Sequence, residues 1–118
     1  MSQTILLAVD VTRGGSARHV TAAADEVRQL SRDTGDHVLV LHVHEVAYGR
    51  FGRLQVDCGD GEGEKVVDQI VSGLRSAGIT ADGVVRTTDV GHISRAILAA
   101  AEEFDARMIV LGSSSHTD

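Results

Sequence analysis

Along these 118 residues, short β-prone runs alternate with stretches of helical periodicity, and no other feature constrains the fold as much. The runs are Thr4–Val9, His37–Val43, Gly83–Thr88 and Met108–Leu111, the third being the least apolar. Between the first two, Ser16–Thr34 sets Ala17, Val20, Ala24, Val27 and Leu30 on one helical face. Lys65–Ala77 repeats the pattern with Val66, Val67, Ile70, Val71 and Leu74, and His92–Phe104 with Ile93, Ala96, Ile97, Ala100 and Phe104. Ser16 is a natural N-cap, and Gly35 and Gly78 are natural helix stops. Strand–helix alternation of this kind predicts parallel βαβ units. The fold class is therefore α/β: a Rossmann-like open parallel sheet of four strands with helices on both faces. The glycine-rich stretch Glu45–Glu64 reads as a long irregular connection.

The length fits one domain, and no linker or internal repeat divides it. A net charge of −6 argues against a non-specific nucleic-acid or anionic-membrane surface. Cys58 is the single cysteine, so no internal disulfide can form, and a reducing, cytoplasmic setting is expected. The first apolar run ends at Asp10, too early for a signal peptide, and no segment approaches the roughly 20 apolar residues of a membrane helix.

Ligands of open α/β sheets bind beyond the carboxyl ends of the strands, where the winding reverses. With the fourth strand returning beside the first, that crevice lies between strands one and four. Asp10 follows one strand and Gly112 ends the other, so the two are expected to face each other. A carboxylate at Asp10 can accept hydrogen bonds from ribose hydroxyls or an adenine amine, ligate a metal, act as a nucleophile, or simply cap the following loop. Gly112-Ser113-Ser114-Ser115 offers free backbone N–H groups and hydroxyls, the makings of a phosphate nest or of an ordinary polar tail.

Other chemistries fail on spacing. A haloacid-dehalogenase nucleophile needs Asp-x-Asp-x-Thr, and Asp10-Val11-Thr12 lacks the second acid. A response-regulator acid pocket needs an acidic pair and a downstream lysine, whereas Lys65, the single lysine, opens a helix. "GDGEGEK", Gly59–Lys65, has no Gly-Lys-Ser/Thr and reads as a solvated loop. An ATP-pyrophosphatase loop needs Ser-Gly-Gly-x-Asp-Ser, which "VTRGGSA" does not provide. Six histidines include His42 and His44 on one strand face, yet no tight zinc signature accompanies them, and no metal is expected.

Over essentially its whole length the chain resembles the universal stress protein family. The resemblance is carried by "ILLAVDVTRGGSARHVTAAADEV", "VLVLHVHEV", "AAAEEFDARMIVLGS" and the order of elements between them. It implies a Rossmann-like domain, commonly homodimeric, whose ATP-binding members hold adenosine in the crevice described above. It assigns Asp10 to adenosine, Ala8 to the same edge, and the Val43 main chain to the adenine edge. The phosphate motif, Gly-x-x-Gly, a spacer and then Gly-Ser/Thr, maps to Gly112, Ser113 and Ser115, with Ser115 replacing the second glycine. The family's spacer, final Gly-Ser/Thr, last helix and fifth strand have no counterpart in these residues, so a longer protein is expected. The implied activity is ATP or AMP binding in a stress response, without catalysis. The alternative is a dimeric signalling or stress module that binds no nucleotide and works through protein contacts.

Overall fold

A computed structural model describes residues 3–9, 17–49, 52–55, 62–89 and 91–112. In chain order the elements are β1 (Thr4–Val9), α1 (Ala17–Thr34), β2 (His37–Gly49), β3 (Gly52–Gln55), α2 (Glu62–Ser76), β4 (Ala81–Asp89), α3 (Ile93–Glu103) and β5 (Ala106–Gly112). β2 pairs with β1 and β4, and β1 also pairs with β5, all in parallel. The parallel sheet thus runs β4-β2-β1-β5. Strand one lies beside the last strand, as its sequence position relative to the winding requires.

Burial on both faces explains the apolar run of β1. Ile5, Leu7 and Val9 enter one core with Val38 and Val40 of β2, Ala23 and Val27 of α1, and Val67, Val71 and Leu74 of α2. Leu6 enters a second core on the opposite face, with Leu39, Leu41 and Val43 of β2 and Ala100 of α3. An interior parallel strand sandwiched between helices has no polar face, hence the near-continuous hydrophobic run. β4, exposed or half-buried at every position after Ala81, is an edge strand, and its sequence signal is correspondingly faint. α1 and α2 end where expected, at Gly35 (φ +75) and Gly78 (φ +85), in the left-handed region that costs glycine little.

The expected four strands are all present and parallel, but a fifth strand, β3, lies inside the stretch read as irregular. β2 continues to Gly49 and β3 returns antiparallel, pairing Val46 with Gln55 and Gly49 with Gly52. Val46 also pairs with Asp89 of β4, so β3 must lie on the opposite edge of β2, the edge β1 uses lower down. The physical reason is length: β2 outruns β1, and the open edge beyond is filled by its own hairpin. The second difference is at Glu62–Lys65, read as loop and found as the first turn of α2.

The amino ends of three strands are tied together at Asp36, which is buried. Its carboxylate accepts from the Gln3 backbone N–H at 2.9 Å and from Arg107 Nε at 2.5 Å. Ser31 Oγ donates to the Asp36 carbonyl.

Candidate functional site

At the carboxyl end of the sheet, Ala8 is aligned with Leu41 on one side and Leu111 on the other, and Val9 with His42 and Gly112. β1 ends there. β2 runs on through Val43, His44 and Glu45 before β3 joins its β1-side edge at Val46. The described residues therefore frame an opening in the sheet, bounded by the end of β1, the end of β5, the Val43–Glu45 backbone and β3. The winding explains its place: β1, α1, β2, α2 and β4 advance with their helices on one face, and α3 carries the chain back over the other to β5. The reversal falls between β1 and β5.

Three of the expected site residues lie in this frame. Ala8 and Val43 are buried and share the α3 face by the alternation of strand side chains, and Gly112 is the rung opposite Val9. Asp10, Ser113 and Ser115 lie outside the described residues, as do Ser16 and Cys58.

A polar chain that the sequence does not announce lies on the other face of the same strand ends. His42 is buried, and its Nδ1–H donates to the Val9 carbonyl at 3.2 Å. Its ring meets that of His44 edge to face, with centroids 4.5 Å apart. His44 Nε2 donates in turn to Glu64 Oε1 at 3.4 Å. Glu64's own backbone N–H, and then His44, hold its carboxyl below the usual glutamate value. Gly63 belongs to this contact: a Cβ there would overlap the His42 ring. The glycine is therefore in a helix because α2 approaches β2 so closely; Gly59, Asp60 and Gly61 of "GDGEGEK" lie outside the described residues. On the α3 face, Glu45 Oε2 accepts from the Gly91 N–H at 3.0 Å and ties the later part of β2 to the turn that precedes α3. Each tie links residues far apart in sequence, and only the spacing of His42 and His44 marked them beforehand. Among the described residues, no group of three or more His, Cys, Asp or Glu is placed to hold a metal ion.

A doubly wound parallel sheet with its winding reversal between β1 and β5 defines a Rossmann-like α/β protein. The model of the universal stress protein family matches residues 1–118, and the chain belongs to that family. Solved structures share the fold. A universal stress protein from Archaeoglobus fulgidus is 24% identical with a TM-score of 0.61, the match covering 94% of this chain and 76% of that one. A second, from Archaeoglobus fulgidus DSM 4304, is 20% identical with a TM-score of 0.65, covering 98% of this chain but 34% of that one. A protein of the family from Burkholderia pseudomallei is 19% identical with a TM-score of 0.64, over 92% of this chain and 80% of that one. No curated protein matches the chain. No described helix is long and apolar enough to cross a membrane.

Proposed function

We propose that this protein binds an adenine nucleotide, ATP or AMP, across the ends of β1 and β5, and serves a stress response as a cytoplasmic homodimer. The observation that carries the reading is the Val9–Gly112 rung. It brings the residue before Asp10 beside the glycine that opens the serine-rich phosphate segment, with Val43 one residue past the neighbouring rung. In this reading Asp10 accepts from the adenosine moiety, Ala8 lines the same edge, and the Val43 main chain reads the adenine edge. Gly112, Ser113 and Ser115 offer N–H groups and hydroxyls to phosphate. Such a grip needs no lysine, which suits a chain whose single lysine, Lys65, lies in the first turn of α2. The role is binding rather than turnover, since the residues assigned to the crevice include no paired base and nucleophile.

Calorimetric titration of the protein and its Asp10→Ala variant with ATP and AMP tests the reading. Loss of one accepting carboxylate is expected to weaken binding about ten- to a hundredfold. Absence of saturable heat in the parent, or equal affinity in the variant, would overturn it.

A second reading, a module acting through protein contacts without nucleotide, is favoured by a different observation. Leu98 of α3 and Leu111 of β5 are 58% and 65% exposed on the α3 side of the sheet. A titration without heat would leave this reading in place.

A further inference from the structure

On the face of β2 that packs against α1 and α2, Val38 and Val40 are followed by two buried histidines, His42 and His44. A residue needed only to fill this core would be apolar, since a buried polar group costs free energy unless it is hydrogen-bonded. The His42 ring contributes what a valine cannot, a donor aimed at the Val9 carbonyl where β1 ends. A carbonyl oxygen only accepts, so Nδ1 carries the hydrogen and the tautomer of the neutral ring is set. The ring also has little freedom to turn away. His44 meets it edge to face, the Gly63 backbone of α2 lies too close for even a methyl group to fit between, and Glu64, next in α2, accepts from His44.

The Val9 carbonyl is not an arbitrary acceptor. It belongs to the planar peptide unit that joins Val9 to Asp10, so the group that fixes this carbonyl also fixes the plane from which residue 10 starts. We infer that His42 is a positioning residue for the nucleotide site: by holding the Val9 carbonyl, it sets the direction in which Asp10 is presented to the crevice. The proposal deepens the nucleotide reading above and rests on it. His42 lies on the α1–α2 face, whereas Val43, whose main chain that reading sets against adenine, turns its side chain into the α3-face core. The ring therefore acts through the β1 backbone rather than on the ligand. A carboxylate held close to its binding position keeps more of its hydrogen-bond energy on association, because less ordering is left to do.

Calorimetric titration with ATP tests this in the parent, in His42→Leu and in His42→Asn, with circular dichroism to confirm that each variant folds. Leucine and asparagine have nearly the same size and shape, and both lose the ring contacts with His44 and Gly63. Only the asparagine, whose amide nitrogen sits where Nδ1 does, still donates. His42→Leu is expected to weaken ATP binding about tenfold, and His42→Asn to stay within about threefold of the parent. A purely structural role would lower both affinities alike or neither. Either result, in a parent that binds ATP, overturns the positioning role while leaving the nucleotide site in place. A parent that binds no ATP overturns the nucleotide reading and this proposal with it. The nitrogen-15 resonances of the His42 ring in the parent carry the test by themselves if a variant does not fold. A neutral ring protonated at Nδ1 is expected, and one protonated at Nε2 has no donor for Val9 and overturns the proposal.

Discussion

Val9 and Gly112 stand opposite one another at the last rung between β1 and β5. On its other side Val9 is aligned with His42, whose ring donates back to the Val9 carbonyl. The end of β1 is thus fixed from both neighbours, and the chain leaves it for Asp10 at the point where the winding reverses. Rigidity here matters for binding, because a pre-formed site loses less freedom when it takes up a ligand.

The core depends unequally on its apolar runs. Leu6 is fully buried in the centre of the sheet, whereas Ile109, its register partner on edge strand β5, is half-buried. Leu6→Ala is expected to cost about 2–5 kcal/mol and Ile109→Ala about 1–2 kcal/mol, read from urea denaturation midpoints. A larger loss at Ile109 would contradict the burial order.

Two glycines in α2 should respond in opposite directions. A methyl at Gly63 runs into the His42 ring, and Gly63→Ala is expected to destabilise by about 1–3 kcal/mol. At Gly73 nothing lies within 4 Å of the new carbon, and Gly73→Ala is expected to stabilise by about 0.5–1 kcal/mol through helix propensity. Thermal melts of the two variants decide this, and a stabilising Gly63→Ala would mean that α2 does not dock on His42.

Asp36 should confer acid sensitivity. The Gln3 N–H, first, and Arg107 hold its carboxyl below the ordinary aspartate value, while burial opposes them. A group depressed on folding contributes stability above its unfolded pKa, about 3.9, and loses it as pH falls through the folded value. The urea midpoint of Asp36→Asn is therefore expected below that of the parent at neutral pH, with the gap narrowing under acid conditions below about pH 4. A gap independent of pH would contradict the ion pair.

Much of this architecture is legible in the amino-acid sequence because its dominant signals are local. "ILLAV" is apolar at every position because β1 is covered on both faces, and the helical spacings of Val27, Val71 and Ala100 follow from one-sided burial. The neighbouring of β1 and β5 follows from the rules of winding. β3 was not legible, since nothing in the glycine-rich stretch states that β2 outruns β1 and leaves an edge to be filled. Gly63 carried the opposite meaning from its local context, because its reason lies in the His42 ring on another element. The Val9–His42–His44–Glu64 chain and the Glu45–Gly91 tie were hidden for the same reason: each joins residues brought together only by the sheet.

Nucleotide binding at the ends of β1 and β5 is tested by titrating the isotope-labelled protein with ATP and following its backbone amide resonances. The crevice reading predicts that the shifts concentrate at Val9, Val43 and Gly112. The amides of Gln3, Asp36 and Arg107, at the amino ends of the same strands, should stay in place. Shifts confined to those amino ends, or saturating ATP that moves none of the three crevice amides, would contradict it.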